Sequence, residues 1–565
     1  MIVQMKIFTN SFLAITISVL LPVLCFSQSS NPAVDSMGVN IGRQNWVAAI
    51  HWALKAAEAE PADKYWRYLN AADFASRDRN ADLAIKYATL VVESDIATKV
   101  FDNKSFDWLR EDPRWMRLMD RVEQLKETQR QQRKQAVIRF RRYQQQLLNQ
   151  GSHIDSLTRI SSTDQLYKSI QNTKPAHDHS YSGRYISHWL NLSDSLEFPY
   201  LVQLPRGFDA NRRYPMVVVL HGAIGRQTKF PEIVDSTMTG FFGEPFVEQA
   251  YQSGLIALFP YGTKRYNWMM PDDGFELVPE LVRQVKKMYP IDDRRVYISG
   301  HSNGATGAFS YLMKQPSLFA GFAGVNNRPQ VRTGGTYFKN GTNRSFYNVA
   351  TDYDYYFPME GHRALRDLAG QLKLDWNNEE IIGHRRHAYL TNVRDSTVKE
   401  VYKRLFANLL TRQRNPFQTN LYWECDDVRH GRVDWLELNQ LDTMARMAPW
   451  HTIPNFAVSG WRNVTNPEVV LDSASQAFVF PRRSGAVIAS FSNNRFELKT
   501  SRVKSITIYL SPEMIDFNKP VQVVINGTSV FNAAVASDRD FTLAAYIRDT
   551  DHQAIWTNRL KFTVP

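Results

Sequence analysis

The segment Gly300-His301-Ser302-Asn303-Gly304 carries the residues best suited to covalent chemistry. The serine follows the apolar run Val296-Tyr297-Ile298 and precedes a helix-forming stretch over 305–314, the strand, turn and helix context that a nucleophile elbow requires. The glycines answer to a strained turn in which side chains at the flanking positions would collide with neighbouring strands. A serine hydroxyl is a poor nucleophile until a histidine removes its proton, and that histidine must be oriented by a carboxylate. Downstream, Asp352 and Asp354 follow the apolar run 346–350, and His384 and His387 follow the run 379–383. His362 precedes the second run and is expected on a helix surface. Two histidines three apart could ligate a metal, but no third ligand stands at suitable spacing, so neither a metal nor a cofactor is expected. The chemistry these residues point to is acyl transfer through a serine-bound intermediate.

Such a serine needs a buried sheet beneath it. Over 183–412 apolar runs alternate with helical stretches, the sign of an α/β fold with a mainly parallel sheet. The runs 215–220, 255–259 and 295–299 are largely apolar, as strands buried on both faces should be. Before this core, residues 42–150 read as a helical domain, with apolar spacing in Trp46, Ile50, Ala53 and Ala57 and again in Leu83, Ile85, Ala88 and Val91. The pattern weakly resembles the hairpins of tetratricopeptide-type repeats. Residues 151–182, rich in Ser, Asp and His, read as a linker. After Pro416 the period drops to two, as in Ile506, Ile508 and Leu510, and Asn526-Gly527 is a hairpin signal between 521–525 and 529–535. Residues 415–565 are expected to form an antiparallel β-sandwich.

Three stretches together resemble the α/β-hydrolase superfamily, and within it the secreted esterases grouped with polyhydroxybutyrate depolymerases and feruloyl or acetylxylan esterases. They are Leu204 to Asp209, Tyr214 to Gly222 with its terminal His221-Gly222, and Tyr289 to Gly304. Prolyl-oligopeptidase-type peptidases share much of this core. The resemblance covers 183–412 and departs at Ala305, where many such esterases have a second glycine; a helix tolerates alanine well. It implies the chain order serine, acid, histidine. Similar enzymes often place the acid four residues before a proline such as Pro358, which selects Asp354 over Asp352, and follow the histidine with a small and an aromatic residue, which selects His387 over His384. The oxyanion donors would be the backbone N–H groups of Asn303 and Ala223, with His221 a structural residue of its turn. Loops beyond the carboxyl ends of the strands, 261–273 with Tyr266 and Trp268 and 326–344 with Tyr337 and Phe338, are expected to line the substrate pocket.

The 565 residues allow three or four domains, and 43% hydrophobic with 22% charged residues excludes collagen-like and wholly disordered chains. The net charge of +12 invites a nucleic-acid reading, but it is spread along the chain, with +6 on 183–412, and no nucleic-acid motif accompanies it. The densest stretch, from Lys126 to Arg142, reads as a solvated helical face. Lys6 followed by the apolar run 12–26 reads as a secretory signal cut after Ser27, while Leu24 before Cys25 disfavours a lipoprotein signal. Cleavage leaves Cys425 alone, so no internal disulfide is expected, and no later stretch is apolar enough to span a membrane. The expected protein is a secreted or periplasmic serine hydrolase acting on an ester-bearing small molecule or polysaccharide, its oligomeric state open. A serine peptidase and a non-catalytic binding protein on a hydrolase scaffold are the alternatives.

Overall fold

The computed structural model describes residues 32–96, 98–150, 154–173, 183–193, 196–269 and 272–565. The leader expected over 1–27 and its cleavage point lie outside them. The chain divides into two compact units, one of residues up to Val91 with Asp102–Leu109, the other of Val92–Phe101 with Arg110–Pro565.

The first unit carries helices Pro32–Gly42, Trp46–Ala59 and Lys64–Arg77 and most of Ala81–Val92. Small residues let these helices pack closely: Ala49, Ala53, Ala56, Ala71, Ala72, Ala75, Ala84 and Ala88 are fully buried. Asp73 ties the unit together by accepting from Ser105 Oγ at 2.6 Å and Arg77 Nε at 2.8 Å. No further series of hairpins follows, for after Val92 come short 3-10 turns and then one helix of 38 residues, Pro113–Gln150.

That long helix belongs to the second unit, which corrects the expected helical domain of 42–150. Its Val137, Phe140, Tyr143 and Leu147, at helical spacing, are buried in the same apolar cluster as Ile186, Trp189 and Phe198 of the sheet. Gln144 fixes the register by accepting from Trp189 N and donating to Trp189 O, each at 2.8 Å. Of the basic stretch 126–142, Arg141 pairs with Glu197 at 2.5 Å.

The centre of this unit is an eight-stranded sheet: β1 Tyr185–Ser193, β2 Leu196–Gln203, β3 Tyr214–Leu220, β4 Ile256–Pro260, β5 Ile291–Gly300, β6 Gly321–Val325, β7 Ser345–Tyr353 and β8 Trp376–Arg386. The spatial order is β1-β2-β4-β3-β5-β6-β7-β8. β2 runs against both its neighbours, and every pair from β4 through β8 is parallel. Both faces are covered. On β3, Met216, Val218 and Leu220 face one apolar cluster, with the helices Leu277–Met288 and Asn303–Lys314, while Val217 and Val219 face the other, with Glu244–Gln252 and Ser396–Leu410. This two-sided burial is why the strands read as unbroken apolar runs.

After residue 414 the chain forms a five-stranded and a four-stranded sheet. Trp423, Val487 and Phe496 of the first and Leu436, Ile506 and Ile508 of the second share one buried cluster. The hairpin joins Val521–Ile525 to Thr528–Ala533, with Asn526 at φ 52° and Gly527 at φ 84° as a two-residue turn of this kind needs. One pair is parallel rather than antiparallel, Arg495–Leu498 alongside Gln522–Ile525, and a helix, Arg539–Asp549, interrupts the strands. The expected linker also departs from its reading. Its described part holds helices Ile154–Thr158 and Thr163–Asn172, whose Leu157, Leu166 and Ile170 are buried against Leu543 and Tyr546.

A buried ionic network joins the α/β sheet to these later strands. Lys286 lies 2.5 Å from Asp293 and 3.4 Å from Asp551, Asp551 accepts from Arg414 at 2.7 Å, and Asp293 meets the His552 ring at 2.9 Å. The segment between Leu441 and Gly485 is an arm that returns to the α/β core, where Val458 and Phe478 are buried beside Phe338 and Phe357. Among the described residues no helix is long and apolar enough to cross a membrane.

Candidate active site

β5 ends at Gly300, the helix Asn303–Lys314 starts three residues later, and Ser302 stands in the sharp turn between them at φ 58°, ψ −121°. A serine held at positive φ is strained and persists only where the surroundings over-determine it. Here they do. Ser302 N–H donates to Val325 O at 3.0 Å, Gly304 N–H to His301 O at 2.9 Å, and Thr306 N–H to Ser302 O at 3.0 Å. The flanking glycines are required by close approach. A Cβ at Gly300 would stand 2.4 Å from the Leu220 carbonyl oxygen, and one at Gly304 only 1.8 Å from it.

The serine is not alone. His387 Nε2 lies 2.9 Å from Ser302 Oγ, and His387 Nδ1 lies 2.8 Å from Asp354 Oδ1. Asp354 is 1% exposed, and the same oxygen accepts Tyr356 N–H at 2.7 Å. The rival acid has a different role. Asp352 accepts the N–H groups of Gly383, His384 and Arg385 at 3.0, 3.0 and 2.7 Å and so shapes the end of β8 that carries His387. His384 is exposed, its ring tilted against that of Tyr353 with centroids 4.5 Å apart. His362, expected on a helix surface, is instead 1% exposed with its Nδ1 3.0 Å from Asn348 Nδ2, and burial lowers its pKa to about 3.

The residues that hold His387 carry no signal in the sequence. Its carbonyl accepts from Asn326 Nδ2 at 2.6 Å and from His301 Nε2 at 3.0 Å. Burial first, and then the neighbouring His387, lower the His301 pKa to about 3, so its ring is neutral and its Nε2 carries the proton that this bond uses. His301 stands between the motif's glycine and serine, a position free in type, and only the fold reveals its partner.

The His221-Gly222 turn lies against the nucleophile, for a Cβ on Gly222 would meet Ser302 Cβ at 3.2 Å. His221 is a structural residue of this turn: it bonds Gly222 O at 2.7 Å and accepts Gly262 N–H at 2.8 Å, and burial lowers its pKa to about 4. Ala223 follows at φ 52°. The backbone N–H groups of Ala223 and Asn303 donate to no acceptor among the described residues. Asn303 uses its side chain separately, donating from Nδ2 to Tyr356 Oη at 2.8 Å.

The aromatic residues expected in the pocket are placed otherwise. Trp268 is fully buried, its indole filling the space beside Gly262 and Gly307, where a Cβ would meet it at 2.8 and 2.3 Å, with the His221 ring 4.7 Å away. Tyr337 and Phe338 are buried as well. Tyr266 is half-buried and packs at 5.8 Å on Phe230. Trp268 is therefore a packing residue beneath the turn, and Trp268→Ala is expected to lower stability by about 3–5 kcal/mol, checked by a lower melting temperature than wild type. The rings that flank His387 are Tyr355 and Tyr356, at 5.3 and 5.4 Å, and beyond them Phe357 meets Trp461 of the arm at 5.8 Å. Among the described residues no group of three or more His, Cys, Asp or Glu side chains could hold a metal ion.

A serine on a strained strand-to-helix turn at the carboxyl end of a parallel strand, with acid and histidine following in that chain order, is the α/β-hydrolase arrangement. No family model matches the chain, and no curated protein matches it. Among solved structures it is similar to a thermostable esterase, with 22% identity over 41% of this chain and 64% of that one at a TM-score of 0.33. It is similar also to Thermogutta terrifontis esterase 2, with 14% identity over 41% of this chain and 95% of the other at a TM-score of 0.33. A ferulic acid esterase is a further neighbour, with 15% identity over 39% of this chain and 98% of the other at a TM-score of 0.31.

Proposed function

We propose that this protein is a serine hydrolase that cleaves carboxylic esters through an acyl-enzyme. The observation that carries the reading is the continuous chain from Ser302 Oγ through His387 to Asp354, with steps of 2.9 and 2.8 Å. His387 Nε2 takes the Oγ proton as Oγ attacks the ester carbonyl, and the electron pair of the C=O bond moves to its oxygen. That oxyanion rests on the N–H groups of Ala223 and Asn303. Collapse breaks the bond to the alcohol oxygen, which leaves with the proton held by His387. Water then repeats the sequence on the acyl-serine and releases the acid. Asp354, accepting from His387 Nδ1, keeps the imidazole in the tautomer whose Nε2 can act as base and steadies the imidazolium that forms. The Trp268 and Tyr266 contacts give no support for either residue touching substrate.

The reading includes export to the periplasm or the medium, supported by the leader pattern of residues 1–27. The test of the chemistry is labelling of the folded protein by a fluorophosphonate probe, in wild type and in Ser302→Ala. Labelling of the wild type alone is the expected result, and an unlabelled, folded wild type defeats the proposal.

A further inference from the structure

The chain neutralises its buried arginines with carboxylates. Arg344 pairs with Asp434 at 2.6 Å and Arg414 with Asp551 at 2.7 Å. Two arginines in the loop after β6 break this pattern. Arg328 stands three residues beyond β6, pinned to the first turn of the nucleophile helix: its N–H donates to Thr306 Oγ1 at 3.2 Å and its C=O accepts from the same hydroxyl at 3.1 Å. Its guanidinium is half-buried and lies over the Trp461 ring, 5.2 Å from the centroid. Arg332 is close enough that its charge acts on Arg328, and its own Nε is buried without a hydrogen-bond partner. Asn327, directly before Arg328, is fully buried with neither amide atom bonded. No carboxylate among the described residues pairs with either guanidinium.

Two partly desolvated like charges without a counter-charge are costly, and an anion placed between them offsets that cost. The location says which anion. Phe357, whose ring meets Trp461 at 5.8 Å, directly follows Tyr356, whose hydroxyl accepts from Asn303 and whose ring lies 5.4 Å from His387. Arg328 thus follows the carboxyl end of β6 and is tied to the first turn of the helix that begins after Ser302, at the end of the sheet where substrates of such folds bind. The indole face fixes the plane of the guanidinium and leaves its edge as a fork that matches a carboxylate.

We propose that Arg328, braced by Trp461 and seconded by Arg332, binds a carboxylate carried by the substrate, so that the preferred esters are acidic ones. This rests on the ester-hydrolase reading above.

The test compares kcat/KM for 4-nitrophenyl hydrogen succinate and 4-nitrophenyl butyrate in the full-length protein and its variants. Arg328→Gln is expected to lower the acidic-to-neutral ratio by about 10- to 100-fold, the loss of a charge-assisted hydrogen bond. Arg328→Lys should lower it less, since an ammonium keeps the charge but not the fork. Arg332→Gln should shift the ratio in the same direction and serves if Arg328→Gln fails to fold. A ratio within twofold of wild type in the folded variants overturns the inference while leaving the esterase intact. Inorganic phosphate inhibiting more tightly than free succinate overturns the choice of carboxylate. If the wild type is not labelled by the fluorophosphonate, the esterase reading falls, and calorimetry decides the anion site: succinate binding lost in Arg328→Gln sustains it, and no binding to wild type ends it.

Discussion

Ser302→Ala is expected to lower kcat on any ester the protein turns over by about six orders of magnitude, with Asp354→Asn close behind at about four. The two losses have different origins. Without Oγ there is no nucleophile to form the acyl-enzyme. With asparagine at 354, the amide can offer its N–H to His387 Nδ1, 2.8 Å away in the wild type, and so stabilise the tautomer whose proton sits on Nε2, facing Ser302. Asp352→Asn separates acid from support. Its three backbone bonds set the end of β8, so the loss is one of positioning, up to about 100-fold in kcat/KM, with the larger part recovered by Asp352→Glu if reach rather than charge is limiting. His384→Gln, at an exposed position, should change kcat/KM by no more than about twofold. Steady-state kinetics on one activated ester checks all five variants, and a larger loss at Asp352 than at Asp354 would reverse the assignment of the acid.

An effect on stability as large as that of Trp268→Ala is expected at Asp551. Asp551→Ala leaves Lys286 and Arg414, each with 1% of its side chain exposed, without the carboxylate that both face, and should cost about 3–5 kcal/mol. Calorimetric melting in wild type and variant reads this. The same network predicts a dependence on acid. Burial alone would raise the pKa of Asp551 and Asp293, but the charges facing them prevail: Arg414 and then Lys286 hold Asp551 well below the usual carboxylate range, and Lys286 lowers Asp293. A carboxyl whose folded pKa is depressed stabilises fully above its unfolded pKa, about 3.9, and that contribution is lost as pH falls from there through the folded value. The melting temperature should therefore fall below about pH 4 in the wild type, and the gap between wild type and Asp551→Ala should narrow in that range. A gap that stays constant throughout that acid range would remove Asp551 from the acid response.

What the sequence makes legible here is local. The elbow shows because Gly300 and Gly304 are forced by one carbonyl, that of Leu220, and such steric demands leave fixed residue types at fixed spacing. The apolar strands before them narrow the acid to Asp352 or Asp354 and the histidine to His384 or His387, and only the resemblance to known esterases, through Pro358 and through Ala388-Tyr389, separates each pair. The placement of Trp268 is not legible, since Gly307, which with the nearby Gly262 admits its indole, lies on a separate helix that only the fold brings against the loop. The same holds for residues 154–173: Leu166 and Ile170 look like scattered apolar residues in a polar stretch until Leu543 and Tyr546 supply their partner surface. The antiparallel pair β1 and β2 and strand β6 carry weak sequence signals, the pair because it lies at the edge of the sheet and β6, Gly-Phe-Ala-Gly-Val, because it is short and glycine-rich.

The arm between Leu441 and Gly485 has a consequence for how the chain can be divided. It leaves the C-terminal sheets, buries Val458 and Phe478 in the α/β core, and sets Trp461 against both Phe357 and Arg328. A chain cut after Arg412 would strip the core of these apolar plugs and Arg328 of its aromatic floor. What looks like an appended module is thus part of the packing of the α/β core. Swapping it for another C-terminal segment should change substrate range and folding yield together, so the two cannot be engineered, or drift in evolution, as separate traits.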